Sequence, residues 1–273
     1  MQNLFLLLSK YGNVLLFIFL EILCLFLIVT YNKSQREIYL NSSNLISGYI
    51  LEKKEGAKSY LGLKDLNVKL HQQNAMLLQK SFNQKNIDYR ENIKTQDSLL
   101  KYSILTATII NNSVRFRNNT ITLNKGSENG LKPGMGVISS EGLVGVIRNV
   151  SKNYAQVISI LNSQSRISAR IDRNNYHGNL IWNGRSPIKM TLEAVPKHAV
   201  IEKGDSVSTS GFSSIFPEGI SIGIVESFRI PSGSSNYIIE IRLNNDIAKL
   251  KQIYIIDNLD FKEIHNLEKA INE

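Results

Sequence analysis

Residues 125–150 read KGSENGLKPGMGVISSEGLVGVIRNV, with glycine at 126, 130, 134, 136, 142 and 145. Only short apolar runs separate these glycines. Glycine tolerates positive φ and close backbone approach, so the spacing predicts tight turns between very short strands. A second stretch, EKGDSVSTSGFSSIFPEGISIGIVESF at 202–228, echoes the first. Gly134-Met-Gly-Val137 answers to Gly204-Asp-Ser-Val207, and Gly142-Leu-Val-Gly-Val146 answers to Gly219-Ile-Ser-Ile-Gly-Ile224. The second copy carries extra residues between its halves, including Gly211. Two related β units in one chain form a scaffold pattern. The turn glycines it singles out are Gly126, Gly130, Gly134, Gly142, Gly145, Gly204, Gly211, Gly219 and Gly223.

From Ser103 onward, alternating or β-branched runs recur between turn signals, for example ILTATII at 104–110 and ISARI at 167–171. About twelve short strands at this spacing predict two small barrels, whose closure removes exposed strand edges. The expected division is a first barrel segment over 103–196 and a second over 197–258. Strand exchange between the two is allowed for. The tail 259–273 places Phe261, Ile264, Leu267 and Ile271 on one helical face, so it reads either as a short docking helix or as a frayed end.

The opening of the chain is of another kind. Val14–Thr30 is apolar except for Glu21. Its seventeen residues rise about 26 Å, and extension to the interfacial Tyr11 and Tyr31 fits a hydrocarbon core of about 30 Å. Small residues suited to cleavage are missing from the following IVTYNKSQ, so the segment reads as an uncleaved anchor over 11–31 after a cytosolic terminus 1–10. A carboxylate at mid-span is costly in lipid, which points Glu21 toward a partner membrane helix. A buried core helix or a signal peptide are the competing readings. Residues 32–102 contain no proline and are rich in Lys, Gln, Asn and Leu. Leu63, Leu66, Leu70 and Leu77 fit a and d positions of one register, which predicts a helical stalk pairing with its own copy as a dimer. The plainer alternative is one amphipathic helix lying on its own β domain. The expected fold is thus mostly β: a transmembrane helix, a long (coiled-coil) helix, then two six-stranded-type β-barrels.

The net charge of +9 comes from 32 Lys+Arg against 23 Asp+Glu. A mild, spread positive charge suits a surface near anionic lipid or polymer. Nucleic acid is disfavoured, because no Arg-rich face interleaved with aromatics stands out. Few residues of the sequence suggest chemistry. Gly204-Asp205-Ser206 resembles part of the GDSGG stretch of trypsin-like proteases, but Val207 replaces the next glycine, and His177 and His198 sit close upstream. His71, His177, His198, His265 and Cys24 lack metal-ligand spacing, so no metal, cofactor or catalytic residue is expected. No G-x-x-x-x-G-K-[ST] occurs. Trp182 and Phe216-Pro217 read as core and loop anchors.

Taken in order, KGSENGLKPGMGV at 125–137, GLVGV at 142–146, GDSVSTSG at 204–211 and IFPEG at 215–219 followed by IGIV at 222–225 resemble the MreC family of bacterial rod shape-determining proteins. The resemblance covers about Thr108–Ile256 in motif and nearly the whole chain in architecture. It implies a non-enzymatic scaffold of the wall-elongation machinery, single-pass in the inner membrane with the bulk of the chain extracytoplasmic. It also implies dimerisation through the stalk, and association with MreD, MreB, RodA and a class B penicillin-binding protein. No partner-binding residue is carried over by a motif. The rival reading is a membrane-anchored, extracytoplasmic binding module for wall polymer.

Overall fold

The computed structural model describes residues 2–31, 63, 65–84 and 100–270. Helix α1 spans Gln2–Tyr31. It therefore runs through residues 2–10 of the segment expected as a separate terminus. Within it, Tyr11–Ile28 is long and apolar enough to cross a membrane, and Glu21 is exposed along it. Most of the predicted stalk over 32–102 lies outside the described residues. Inside them, helix α2 covers 65–84, and strand β1 already begins at Tyr102.

Twelve strands follow: β1 Tyr102–Asn112, β2 Asn118–Leu123, β3 Gly136–Ile138, β4 Leu143–Val150, β5 Ala155–Asn162, β6 Ile167–Ile171, β7 His177–Ile181, β8 Lys189–Pro196, β9 Ser206–Thr209, β10 Ser221–Arg229, β11 Asn236–Leu243 and β12 Gln252–Asn258. They close into two six-stranded barrels, with cyclic orders β1-β12-β3-β4-β5-β2 and β10-β11-β8-β7-β6-β9. Every pairing is antiparallel.

The division between the barrels differs from the expected cut at 196/197. Strands β6 to β8 belong to the second barrel, and β12 returns to the first. The crossover is the short stretch 163–166, while the Pro196–Gly204 segment is an internal loop of barrel 2 between β8 and β9. Local turn signals could not reveal this, because membership of a barrel is decided by pairing partners far away in the chain. Around the ring, β3-β4-β5-β2-β1-β12 corresponds to β9-β10-β11-β8-β7-β6. The two barrels thus share one plan. The sixth strand comes last in barrel 1 and first in barrel 2, and barrel 2 is inserted between β5 and β12.

Period-two burial builds each interior. Ile167, Ala169 and Ile171 alternate inward on β6, as Ile121 and Leu123 do on β2. Strand β12 breaks the alternation: Ile253, Tyr254, Ile255 and Ile256 are all buried. Its second face is covered, since the His71 ring of α2 stacks on Tyr254 with centroids 4.2 Å apart. A strand buried on both faces reads as a continuous apolar run. Helix α3, Phe261–Ala270, follows β12. Its Phe261 ring lies where a Cβ on Gly134 would come within 2.7 Å of it, so the start of the tail docks on barrel 1. Leu267 is exposed, and Ile271 lies outside the described residues.

Candidate functional site

The predicted turn glycines do two kinds of structural work. Gly130, Gly134, Gly142, Gly204, Gly211 and Gly219 have positive φ. Gly126, Gly145 and Gly223 instead admit a neighbouring backbone. A Cβ on Gly145 would run into the carbonyl oxygen of Ile158 on β5, and one on Gly223 into that of Arg242 on β11. The echo seen in the sequence is therefore an echo in space. The Gly134 N–H donates to Ile147 O at 2.8 Å, and the Gly204 N–H donates to Val225 O at 2.8 Å. The return bonds are Ile147 N–H to Met135 O and Val225 N–H to Asp205 O, both 2.9 Å.

The insertion in the second copy reaches the other barrel. Phe216, in the β9–β10 loop, is 2% exposed and packs over Gly136 of β3, where any Cβ would collide with its ring. Asn258 of β12 donates from Nδ2 to Ser214 O at 2.7 Å. On the return path, buried Asn245 donates from Nδ2 to Leu143 O at 2.9 Å and accepts from Ser139 Oγ. The Thr209 hydroxyl holds the loop by donating to Pro217 O at 2.7 Å. These contacts fix one barrel on the other.

The residues that resemble part of a protease motif, and the histidines near them, are engaged in this framework. Asp205 is buried, its carboxylate accepting from Arg173 Nε at 2.6 Å and from the Glu202 N–H at 2.8 Å. Gly204-Asp205-Ser206 is thus a turn held by an ion pair. His177 packs edge-on against Phe212, and His198 against Tyr176. Among the described residues, no cluster of His, Cys, Asp and Glu has the form of a metal site.

Helix α2 has two distinct faces. Inward, Ala75 and Asn83 are buried, with Leu78 and Phe82 packed beside them. Asn83 accepts from the N–H groups of Lys101 and Tyr102 and donates back to Tyr102 O, so it anchors the start of β1. His71 Nε2 lies 3.2 Å from Ile253 O. Burial lowers the His71 pKa, with nearby Lys125 acting in the same direction. Burial, then the charge of Asp260, pushes the Tyr102 phenol up to about 12. On α2, Leu66, Leu70 and Leu77 are 52%, 50% and 65% exposed, and Leu63, outside its bounds, is 56% exposed.

A second open surface lies at the crossover. Arg115, Phe116 and Arg117 of the β1–β2 loop, Ser163 and Arg166 of the crossover, and Trp182 to Gly184 of the β7–β8 loop line a cleft of about 500 Å³. Phe116 is 69% exposed, whereas Trp182 is buried and donates from Nε1 to Ser186 O at 2.7 Å. Residue spacing does not show this cleft, because its walls come from three separated segments. The RFR at 115–117, set in a turn without acidic neighbours, was the only local sign.

The barrels can be set beside known proteins. The family model described as "Rod shape-determining protein MreC, barrel core" matches residues 109–257, more than half of the 273. The chain belongs to the MreC family. It is 28% identical over 174 residues to the cell shape-determining protein MreC of Listeria monocytogenes, covering 63% of this chain and 59% of that one. It is 28% identical over 140 residues to the MreC of Escherichia coli, covering 51% and 38%. The matches thus span about six-tenths or less of these relatives' own lengths. A solved MreC structure from Listeria monocytogenes superposes with a TM-score of 0.58 at 24% identity, over 72% of this chain and 94% of that one. At that identity the structural likeness concerns the fold, and the MreC barrel pair is the fold shared.

Proposed function

We propose that this chain is a non-enzymatic, membrane-anchored scaffold of bacterial wall elongation, which maintains cell shape by binding and regulating peptidoglycan synthases. The observation carrying this reading is the MreC barrel core, locked into one unit by Phe216 over Gly136 and preceded by an apolar helix long enough to cross a membrane. In this reading α1 is a single pass through the inner membrane, with the barrels on the extracytoplasmic side. Confinement to the membrane plane raises the effective concentration of partners held in the same membrane. The partners are those the resemblance implies: MreD, MreB, RodA and a class B penicillin-binding protein. A partner with two conformations is biased only by its difference in affinity between them, and ~1–3 kcal/mol changes its active fraction by several- to a hundred-fold.

Within this proposal the outward leucines Leu63, Leu66, Leu70 and Leu77 pair with a second copy, extending α2 into a coiled-coil stalk. Glu21 meets a polar partner on a neighbouring membrane helix. The division of labour is then anchor, spacer and rigid display of barrel surfaces. The test is depletion in the native cell combined with affinity purification of the detergent-solubilised full chain. Loss of elongated shape and co-purification of wall synthases are the expected results. Normal shape on depletion, with salt-sensitive binding to purified peptidoglycan and no synthase recovered, would replace the scaffold by a polymer-binding module.

A further inference from the structure

The cleft at the crossover carries an unbalanced charge. The stretches 98–127, 142–171 and 173–192, which supply its walls, contain no Asp or Glu. Among the described residues, Arg115, Arg117 and Arg166 form no ion pair with a carboxylate, although Arg170 and Arg173 a few residues away each do. These three guanidinium groups, without a carboxylate partner among the described residues, share one open cleft with the exposed ring of Phe116.

The cleft is also built. Asn119 is fully buried, donates to Leu161 O at 2.6 Å and accepts the Phe116 N–H at 2.9 Å, so the arginine-bearing loop is tied to the barrel wall beneath it. The Ser163 N–H donates to Arg117 O at 3.0 Å, joining that loop to the crossover. Arg166 donates from Nη1 to the carbonyls of Ser163 and Ser165 at 2.9 and 2.8 Å, which orients its guanidinium along the crossover. Holding the donors before a ligand arrives removes part of the ordering cost of binding.

We infer that this cleft is a docking site for an acidic segment of a partner protein, with an apolar side chain of that segment packed on Phe116. Guanidinium forks pair bidentately with carboxylates. One carboxylate would leave two of the three charges unanswered, so the occupant carries several. The arginines are exposed and line an open cleft of about 500 Å³, more space than a single small anion fills, which favours a chain contacting all of them at once. Both barrels are closed, so a visiting segment finds no free strand edge there and binding falls to side chains. This inference rests on the scaffold reading and adds to it a surface and the chemistry of what it meets.

The test uses the full chain in non-ionic detergent and a fluorescein-labelled, glutamate-rich peptide with a central phenylalanine, read by anisotropy. The Arg115→Gln/Arg117→Gln/Arg166→Gln chain should bind about tenfold more weakly, and binding to the unmodified chain should fall as salt rises. Phe116→Ser should weaken binding without changing the salt dependence. A control chain with Arg148, Lys203 and Arg229 changed to Gln should bind within about twofold of the original. Equal loss in the control would reduce the effect to net charge and overturn the site. Stronger arginine-dependent binding of sodium diphosphate, or of phosphatidylglycerol vesicles, would overturn the peptide as occupant. Wall synthases co-purifying equally with the triple-glutamine chain would remove the cleft and leave the scaffold standing. Their absence from the unmodified chain would instead be failure of the scaffold reading.

Discussion

The β3–β4 hairpin of barrel 1 and the β9–β10 hairpin of barrel 2 are two versions of one device. Both begin at a left-handed glycine, Gly134 or Gly204, and both carry a glycine that admits the next strand, Gly145 or Gly223. They differ at the tip. In barrel 1 the turn closes at once, the Ser139 N–H donating to Gly142 O at 2.7 Å. In barrel 2 the chain runs from Ser210 to Ile220 before returning, and within that run Phe216 crosses to the other barrel. The common part makes a barrel and the added part joins two. Insertions at loop tips are tolerated thermodynamically, so a joint can arise there without disturbing the ladder below.

The strongest test of the common part is a side chain at the close approaches. Gly145→Val and Gly223→Val each drive a branched side chain into a ladder carbonyl, at a cost above about 3 kcal/mol. Neither variant should give a cooperative unfolding transition by circular dichroism. If only one of them fails to fold, the two hairpins are not equivalent in load. The joint is tested next. Phe216→Ala removes a buried aromatic worth about 3–5 kcal/mol. The chain has one tryptophan, Trp182, and it lies in barrel 2. Its fluorescence transition should separate from the circular-dichroism transition in Phe216→Ala, while the two coincide in the parent chain.

Asn245→Ala should cost about 1–3 kcal/mol, because it leaves Leu143 O and Ser139 without their buried partner on the return path. A shift of the whole denaturation curve, with both probes still coincident, would separate this local loss from uncoupling of the barrels. The smallest effect belongs to barrel 1, which alone carries α2. The folded-state pKa of His71 is lowered, so the unfolded chain takes up its proton first on acidification. The stabilisation is complete above the ordinary value of about 6.5 and declines as pH falls from there through the folded pKa. Protection against hydrogen exchange over 65–84, taken relative to the intrinsic exchange rate at each pH, should therefore be lower at pH 5.5 than at pH 7.5. His71→Gln should abolish that difference and leave β6 to β11 unchanged.

Much of the β architecture was legible because turn chemistry is local. A glycine at 134 or 204 marks a left-handed turn whatever surrounds it, and alternating or β-branched runs marked most strands from 104–110 onward. The echo between 125–150 and 202–228 was readable for the same reason. The cut between barrels was misplaced because β12 shows only an apolar run, and nothing local says it pairs with β1 and β3 rather than with the neighbouring β11. Phe216 read as a loop anchor, but that it anchors to Gly136 depends on two chain regions eighty residues apart meeting. The arginine cleft was hidden likewise: Arg115, Arg117 and Arg166 become one site only after the crossover brings their segments together.

The amino-acid sequence by itself determined the apolar helix at the start, the positions of the strands and turns, and the duplication of a glycine-bounded hairpin, since each depends on neighbours within a few residues. Tertiary structure alone decided which strands share a barrel, that α2 turns Ala75 and Asn83 inward while Leu70 and Leu77 stay exposed, and that Arg115, Arg117 and Arg166 line one cleft at the crossover. Those outcomes come from packing and charge between distant segments, and the chain must close both barrels before any of them exists.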